Sequence, residues 1–244
     1  MNRQIKNQYK AIVLGATGTV GTYLVKKLLA SPQCKQLTVI SRKEIPFHPK
    51  LKLEIWKDFS IFQSKKSNKM ANIFEGHDVL FCCLGAPEKN LFGLYNKKKY
   101  GQMFKTIDYY YVVGAATIAH LASVPQFSVI SNPTASSKAH FLLSKVKWKM
   151  QQAIQAIEFN GISIFQPYHM IKPADETEPF LKKILKNTIA LIARIILAKQ
   201  KAINVEDIAT AMKIEFELRL DGKIKKTAFY HSDAMRELIL RDKK

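Results

Sequence analysis

Three glycines at a spacing of three residues, Gly15, Gly18 and Gly21, form the first pattern in the chain that indicates chemistry. They lie in the stretch AIVLGATGTVGTYLVKKLL, between an apolar run typical of a buried strand and an amphipathic pattern of helical period. Gly15 can take a tight turn, Gly18 lets the backbone approach a pyrophosphate, and Gly21 lets helix and strand pack closely. The helix N-terminus then offers N–H groups to the phosphates. The stretch predicts a nucleotide-binding turn, and the alternative is a turn with a structural role only.

The residues after the second apolar run distinguish between the two nicotinamide dinucleotides. A site for NAD places an acidic residue about 20 positions after the glycine pattern, where it accepts the ribose hydroxyls. This chain has Ser41-Arg42-Lys43 there, with Arg42 standing 21 residues after Gly21. Because Arg42 and Lys43 are positively charged, they suit a ribose 2′-phosphate. The sequence therefore predicts NADP, and the alternative is that both residues are surface charges in a basic chain.

Alternating strand and helix patterns surround this turn. Strands are predicted over residues 11–14, 37–41, 51–55, 79–84, 127–131 and 162–165. Helices are predicted over residues 18–30, 68–74, 100–122 and 136–157. This alternation is typical of βαβ units with a parallel sheet. The predicted fold class is therefore α/β: a doubly wound, mainly parallel Rossmann sheet of about six or seven strands with a small C-terminal cap.

The pattern changes after Pro167. Residues 1–170 are a predicted NAD(P)-binding Rossmann domain, and residues 171–244 are a predicted cap packed on that domain. The tail indicates a basic helix, a short acidic helix over residues 205–212, a strand pair over residues 216–229 and a terminal helix. The basic helix has an apolar stripe from Leu181 to Ile196. Such a stripe typically packs on its own core, and the alternative is contact with a membrane or a protein partner.

The charge balance is strongly basic: 39 Lys and Arg residues against 19 Asp and Glu residues give a net charge of +20. Such a charge raises nucleic acid or an anionic membrane as a partner. The lysines are scattered and no recognisable nucleic-acid motif occurs among them, so a solvated surface is predicted rather than a nucleic-acid interface. The longest apolar segment, residues 184–198, is interrupted by charges and shorter than the roughly 20 residues of a transmembrane helix.

The N-terminal residues and the cysteines predict the compartment. The start, MNRQIKNQYK, contains no apolar signal region, so a cytoplasmic location is expected. The three cysteines, Cys34, Cys82 and Cys83, cannot all pair, and the adjacent two are poorly placed to bridge. Because no CxxC motif occurs, we interpret all three as reduced thiols, and no metal site is predicted.

Four segments together resemble one known family: the GxxGxxG spacing, GHDVLFCCLG over residues 76–85, the Ile107-Asp108-Tyr109 run, and SVISNPTASSKAHFLLSKVKWKM over residues 128–150. They are similar to the Tat-interactive-protein family of atypical short-chain dehydrogenase/reductases, which is related to NmrA-like NADP binders. The resemblance runs from about residue 10 to about residue 170 and is most specific at GHDVLFCCLG. Beyond it, AINVEDIATAM over residues 202–212 is similar to the family's cap segment.

The resemblance implies a role for several residues. Those implied to bind the cofactor are Gly15, Thr17, Gly18, Thr19 and Val20 at the pyrophosphate, Arg42 and Lys43 at the 2′-phosphate, Asp58 at the adenine amino group, and Leu84, Gly85 and Ala86 along the ribose and nicotinamide. Ser131 stands in the place of the family's catalytic serine. Lys147 stands in the place of its active-site lysine, which also holds the nicotinamide ribose.

The family's chemistry depends on a Tyr-x-x-x-Lys pair, and this sequence departs from it. Residues four apart on a helix share a face, so the lysine can lower the pKa of the tyrosine while the phenol passes a proton to the substrate. In FLLSKVK the tyrosine's position holds Leu143, four residues before Lys147. Leucine has no proton to donate, and a general acid typically contributes about 10²–10⁴-fold to the rate. One literal Tyr-x-x-x-Lys, Tyr95 to Lys99, is interpreted as a coincidence in a lysine-rich chain.

Three other residues are candidates for the missing proton donor. His140 lies seven residues before Lys147, on nearly the same face of the predicted helix. Tyr168 and His169 follow the sixth predicted strand, where α/β sheets present catalytic groups. The alternative for each is a surface or core-edge residue with no part in the reaction. The predicted catalytic residues are therefore Ser131, Lys147 and His140.

Two functions from different classes follow from these patterns. The first is an NADP-dependent oxidoreductase of the atypical short-chain class, acting on an unidentified carbonyl or alcohol with Leu143 in place of the usual tyrosine. The second is a catalytically inactive NADP-binding regulatory or sensor protein that acts through a protein partner.

Overall fold

Seven parallel strands form the central sheet in the computed structural model, which describes residues 8–64, 70–87, 97–172, 202–220 and 226–242. The strands are β1 (Tyr9–Leu14), β2 (Cys34–Ser41), β3 (Leu51–Ile55), β4 (Val79–Cys82), β5 (Gln126–Ile130), β6 (Gly161–Gln166) and β9 (Thr227–His231). Their order is β3-β2-β1-β4-β5-β6-β9, and every neighbouring pair is parallel. Two short strands, β7 (Met170–Ile171) and β8 (Ile203–Asn204), form a separate parallel pair.

Helices cover both faces of this sheet. They are α1 (Gly21–Ala30), α2 (Ala71–Phe74), α3 (Lys97–Lys105), α4 (Val112–Leu121), α5 (Leu142–Gln155), α6 (Val205–Leu220) and α7 (Ser232–Asp242). A 3₁₀ helix spans Phe59–Gln63, and a π-helical turn, Thr106–Tyr111, joins α3 to α4. The predicted α/β doubly wound parallel fold is therefore confirmed.

Alternate residues of β1 face two separate apolar layers. Ala11 and Val13 pack in the layer that contains α1, α6 and α7, whereas Ile12 and Leu14 pack in the layer that contains α4 and α5. All four side chains are fully buried. A sheet covered on both faces requires strands that are continuously apolar, which is the pattern that the sequence shows in its first strand.

A buried ion pair fixes α6 to the sheet. Glu215 Oε1 lies 2.5 Å from Nε of Arg219, one helical turn further on. Glu215 also accepts hydrogen bonds from the hydroxyls of Ser163 on β6, at 2.7 Å, and Tyr230 on β9, at 3.1 Å. Burial raises the pKa of the Glu215 carboxyl, and the charge of Arg219 opposes that rise. One carboxylate thus joins three elements of the C-terminal half.

The structure corrects several predicted boundaries. The helix predicted over residues 136–157 is α5, which begins only at Leu142. The preceding residues instead form turns, closed by hydrogen bonds from Ala135 N to Asn132 O and from Ala139 N to Ser136 O. The strand predicted over residues 79–84 ends at Cys82, and the helix predicted over residues 100–122 is confirmed as the continuous segment 97–121.

The tail differs from its prediction in two ways. The acidic helix predicted over residues 205–212 continues to Leu220, so the first half of the predicted strand pair is wrong. The second half is a strand, but β9 extends the main sheet beside β6 instead of forming a hairpin. The predicted terminal helix is confirmed as α7. In the described part of the tail, α6, β9 and α7 pack on or within the main sheet, and the division into residues 1–170 and 171–244 stays a prediction.

Two sequence predictions fall on other parts of the chain. The basic helix with its apolar stripe and Tyr95 of the coincidental Tyr-x-x-x-Lys lie outside the described residues. Within the described ranges, no helix combines the length and the apolar character needed to cross a membrane.

Candidate functional site

Close backbone contacts at Gly15 and Gly21 hold the turn after β1. Gly15 has a φ of +79°, and a Cβ atom there would lie 2.7 Å from the carbonyl carbon and oxygen of Cys83. A Cβ atom on Gly21 would lie 2.1 Å from the oxygen of Gly15. Both positions therefore require glycine, the first for conformation and space and the second for space. These contacts bring the start of α1 and the end of β4 against the turn.

Gly18 has more room than its two neighbours in the pattern. Its N–H donates to the oxygen of Gly15 at 2.9 Å. Among the described residues, a Cβ atom on Gly18 would meet only the oxygens of Gly15, at 3.1 Å, and Cys83, at 3.9 Å. Thr17 and Thr19 of the same turn are exposed. The turn therefore forms a shallow cradle that a side chain at position 18 would partly fill.

The strand order reverses between β1 and β4, which are neighbours in the sheet although β2 and β3 separate them along the chain, and we call the region between their carboxyl ends the crevice. Parallel α/β sheets bind ligands at such a reversal of strand order. Cys83 N donates to Leu14 O at 2.9 Å and so keeps the end of β4 beside the turn. After it, Leu84 is buried, Gly85 is exposed and Ala86 is half-buried. The structure thus brings the two predicted cofactor segments together.

Arg42 and Lys43 extend from the end of β2, and both are exposed. The guanidinium of Arg42 lies 5.8 Å from the centre of the Phe59 ring, a distance typical of a cation–π contact. Asp58, predicted to face adenine, accepts hydrogen bonds from the N–H of Ser60 at 2.8 Å and from the Ser60 hydroxyl. These bonds lower the pKa of Asp58 and cap the 3₁₀ helix, so its side chain already has a structural task.

Lys147 lies at the centre of a buried polar cluster. Its Nζ is 3.0 Å from Oδ1 of Asp108 and donates to the oxygen of Ile130 at 3.0 Å. The side chains of Lys147 and Asp108 are only 8% and 2% exposed. The other carboxylate oxygen, Oδ2, accepts a hydrogen bond from Ala86 N at 3.1 Å. The cluster thus joins α5 and the π-helical turn to the ends of β4 and β5.

Ser131 follows β5 directly and lies next to this cluster. Its N–H donates to the oxygen of Phe165 at 2.7 Å, which ties it to β6. Its buried hydroxyl accepts a hydrogen bond from Nε2 of Gln151 at 2.6 Å. Gln151 stands one turn after Lys147 on α5. The predicted serine is therefore near the predicted lysine, with its oxygen held on the side of α5.

Leu143 is half-buried in the first turn of α5, one turn before Lys147. The helical relation between the two positions is as predicted from the sequence. His140 differs, because α5 begins two residues after it. The expectation that His140 shares a helical face with Lys147 is wrong, since its exposed side chain belongs to the preceding turns.

Tyr168 and His169 lie at the carboxyl end of β6 and are exposed. The Tyr168 ring is 5.9 Å from the His231 ring, and Tyr168 N donates to the Ser232 hydroxyl at 3.2 Å. The oxygen of His169 accepts from Ile203 N at 2.9 Å. Tyr168 and His169 therefore contact residues of β9 and β8. Lys147 instead contacts Asp108 and the end of β5.

Comparison with known proteins decides the family. Residues 15–162 match the sequence profile of a family described as NAD(P)H-binding, and this range is more than half of the chain. It contains the glycine turn, the end of β4 and Lys147. The chain belongs to the NAD(P)H-binding family. Its sequence resemblance to the atypical, NmrA-like short-chain dehydrogenase/reductases agrees with this family, since both imply a nicotinamide dinucleotide as ligand.

Relatives from animals and fungi share much of the chain. The protein named Protein HTATIP2 from Rattus norvegicus is 27% identical over 180 residues, which are 73% of this chain and 70% of that protein. Protein FMP52, mitochondrial, from Meyerozyma guilliermondii is 26% identical over 200 residues, which are 78% of this chain and 77% of that protein. The fungal relative is named as mitochondrial, and the cytoplasmic location of this chain stays a prediction.

Solved structures of proteins in complex with NADP or NAD share the fold. A short-chain dehydrogenase from Burkholderia cenocepacia in complex with NADP superimposes with a TM-score of 0.65 at 14% identity, covering 97% of this chain and 93% of that one. The Bordetella bronchiseptica enzyme WbmG in complex with NAD gives a TM-score of 0.63 at 11% identity, covering 93% and 73%. These structures contain either dinucleotide, so the likeness shows the shared Rossmann fold alone.

The residues of the crevice fit the dinucleotide that the NAD(P)H-binding family implies. The positive φ of Gly15 and the space beside Gly18 form a cradle for a phosphate group. Arg42 places a positive charge at the end of β2, where the second ribose of such a cofactor is held in Rossmann folds. Within the described part of the chain, no group of three or more His, Cys, Asp and Glu side chains could hold a metal ion.

Two residues of the cluster were not assigned a role from the sequence. Asp108 is the sole acidic residue between residues 97 and 121, and this isolation was a usable signal. Gln151 stands four residues after Lys147 and eight after Leu143, so all three share a helical face. The signal for Gln151 is this spacing, which places its amide beside Lys147 on α5.

Proposed function

We propose that the protein binds NADP(H), and that retention of this cofactor rather than rapid carbonyl reduction is the task of its site. One observation carries the proposal: Lys147 is buried in an ion pair with Asp108, while the residue one turn before it, Leu143, has no hydroxyl. The lysine keeps its place in the family's pattern, and the proton donor does not. The site thus supports binding better than it supports the reaction.

The preference for NADP(H) rests on charge at the end of β2. Arg42 and Lys43 are exposed there, and Arg42 is held against Phe59. A ribose 2′-phosphate is a dianion that a guanidinium can bind through two parallel hydrogen bonds. An unmodified ribose would offer only hydroxyls, for which an acidic residue is the usual acceptor. We therefore assign the 2′-phosphate to Arg42 and Lys43.

The glycine turn holds the pyrophosphate in this proposal. The backbone of the turn that faces the pyrophosphate belongs to Gly15, Thr17, Gly18, Thr19 and Val20. Gly21 lets α1 approach the turn closely. Leu84, Gly85 and Ala86 form the opposite wall, and Lys147 holds the ribose of the nicotinamide half. When bound, the reduced cofactor supplies a hydride.

Carbonyl reduction also needs a proton and a charge that stabilises the developing alkoxide. Leu143 supplies no proton, and the charge of Lys147 is compensated by Asp108 at 3.0 Å. Loss of a general acid alone costs about 10²–10⁴-fold in rate. Ser131 is bonded to Gln151, and we keep it as the candidate that orients a bound carbonyl or alcohol. We keep His140, in the turns just before α5, as the candidate for residual proton transfer.

A protein that holds NADP(H) without consuming it can couple the cofactor to another binding event. Such coupling requires only that a partner binds the protein with NADP(H) bound more tightly, or less tightly, than the protein without it. We therefore propose a regulatory or sensor role through a protein partner as the biological use of the site, with slow oxidoreductase activity as the second candidate.

Binding is tested by titrating the purified protein with NADPH and, in parallel, with NADH, following cofactor fluorescence. We expect NADPH to bind at least about tenfold more tightly, which corresponds to about 1.4 kcal/mol. A thermal-shift series with each cofactor provides an independent measure, because a ligand that binds the folded state raises its stability. Equal affinities would contradict the assignment of NADP(H), and no binding of either would contradict the function.

A further inference from the structure

Asp108 connects the two sides of the Lys147 cluster through three contacts. Its Oδ1 pairs with Nζ of Lys147, and its Oδ2 accepts from Ala86 N. A Cβ atom on Gly85 would lie 3.6 Å from the same Oδ1, so this carboxylate packs directly against the segment after β4. Lys147 donates in turn to Ile130 O at the end of β5. One side chain therefore links the loop after β4 to α5 and β5.

The geometry requires a carboxylate at this position. Lys147 and Ala86 approach different oxygens of Asp108, so two acceptor oxygens are in use. An amide has one acceptor oxygen and would turn its NH₂ group toward one of these donors. The charge is also needed, because a buried ammonium without a counterion is costly. The two hydrogen-bonded oxygens and the burial of the side chain together fix the orientation of the Asp108 carboxylate.

The backbone around Asp108 is unusual in a way that fits a site. Asp108 lies in the π-helical turn Thr106–Tyr111, between two α-helical segments of one continuous helix. Such turns are rare, and they occur frequently at functional sites because they displace a side chain from the regular helical position. Here the displaced stretch carries the buried carboxylate that reaches Ala86.

We propose that Asp108 is a positioning residue for NADP(H), acting through Lys147 and through the Leu84–Ala86 segment. Its charge holds the ammonium in place, and its second oxygen holds the wall of the crevice opposite the glycine turn. The inference rests on the proposed binding of NADP(H). Asp108 would then be a further residue that controls cofactor binding. It lies on the continuous helix between β4 and β5, apart from the glycine turn and from Arg42 and Lys43 at the end of β2.

The first test compares Asp108→Asn with the wild-type protein by NADPH titration, well below the unfolding temperature. We expect the Kd to rise at least about tenfold, the loss expected for one misplaced charge-assisted hydrogen bond. The emission maximum of bound NADPH should also shift toward that of free NADPH, because the nicotinamide half is held less firmly. Stability of the unliganded variant is measured in the same buffer by thermal unfolding.

Glu215→Gln is the matched control. It also changes a buried, ion-paired carboxylate to an amide, but in the opposite apolar layer, where Glu215 pairs with Arg219. We expect it to lower the unfolding temperature while the Kd for NADPH stays within about twofold of wild type. If Asp108→Asn behaves in the same way, Asp108 is only structural and the inference is overturned.

A second variant keeps the test decisive if Asp108→Asn does not fold. Asp108→Glu retains the charge and both acceptor oxygens but lengthens the side chain by one methylene group, so the buried ammonium keeps a counterion. We expect a folded protein with weaker NADPH binding and a shifted emission maximum. Wild-type values for both would overturn the inference. Failure of the wild-type protein to bind NADPH would instead contradict the proposed function.

Discussion

Leu143 and Lys147 determine what the site can do at the scale of single residues. They stand one turn apart on α5, where a lysine and a phenol could act together, and the phenol is replaced by a hydrocarbon side chain. The lysine is meanwhile occupied by Asp108 and Ile130. A binding function survives these two facts because a ribose needs hydrogen-bond donors, whereas hydride transfer to a carbonyl also needs a proton.

Arg42 gives the sharpest prediction about cofactor choice. Replacing Arg42 with Ala removes the guanidinium that rests on Phe59. We expect NADPH binding to weaken roughly 10- to 100-fold, the range for loss of hydrogen bonds to a charged group, while NADH binding changes little. Calorimetric titration of both cofactors measures the change in preference.

Arg241→Ala is the control for loss of an exposed positive charge. Arg241 lies on α7, and its side chain is 73% exposed. We expect this variant to keep the wild-type preference for NADPH. If Arg42→Ala keeps it as well, Arg42 is one more surface charge in a basic chain and the 2′-phosphate assignment is wrong.

The element that we propose holds the pyrophosphate is the turn between β1 and α1, and its glycines are not equivalent. Gly18→Val places a side chain where the cradle is open, so we expect loss of NADPH binding with the fold largely intact. Gly21→Ala places a Cβ atom 2.1 Å from the oxygen of Gly15, so we expect about 1 to 3 kcal/mol of destabilisation. Circular dichroism, thermal unfolding and a thermal shift with NADPH separate the two effects.

Two outcomes would contradict these roles for Gly18 and Gly21. A Gly18→Val protein that NADPH still stabilises would mean that the turn is structural only. A Gly21→Ala protein with wild-type stability would mean that α1 can move away from the turn at no cost.

The connection between α2 and β4 contains a buried histidine that makes stability depend on pH. Nδ1 of His77 lies 3.1 Å from Phe74 O and 3.2 Å from Glu75 O, so this nitrogen carries the proton. Nε2 then accepts from the Thr38 hydroxyl of β2 at 2.8 Å. Burial lowers the pKa of His77 below its usual 6.5. The neutral ring is therefore the form that the fold accepts.

A lowered pKa in the folded state means that the unfolded chain binds a proton first as the solution is acidified. The stabilisation from His77 is fully present above a pH of about 6.5 and is lost as the pH falls through the folded pKa. We expect the stability advantage of wild type over His77→Gln to shrink over this range, as measured by urea unfolding. An advantage of His77 that grows on acidification would contradict the assignment.

At the level of elements, the sequence predicted what depends on local pattern and missed what depends on contacts. Central strands such as β1 were found because both faces of the sheet are covered, which makes the strand an apolar run, whereas the edge strand β3 was found from its alternating residues, LKLEI. The start of α5 was missed because Ser136 is a typical helix N-cap residue and Lys138 and Ala139 favour a helix, although these residues form turns. That error placed His140 on a helical face where it does not lie.

Across the whole molecule, the tail shows how tertiary contacts override local pattern. Residues 214–220, IEFELRL, alternate apolar and polar side chains as a strand would. The segment is nevertheless helical, because Phe216 packs in one apolar layer and Glu215 pairs with Arg219 one turn away. The cofactor turn could be read from residue spacing alone, whereas the Asp108–Lys147 pair joins residues 39 positions apart and needed the fold.

The central claim is that the whole protein holds NADP(H) without turning it over quickly. The direct measurement is NADPH oxidation, followed by absorbance of the reduced nicotinamide, with cofactor bound and a broad panel of ketones, aldehydes and quinones. We expect slow or absent consumption by wild type and by His140→Ala. Leu143→Tyr is expected to raise the rate, although misplacement of the phenol by about 1 Å can cost roughly 100-fold. Robust turnover by the wild-type protein would contradict the claim, and if His140→Ala left that turnover untouched, Tyr168 or His169 would be the donor to test.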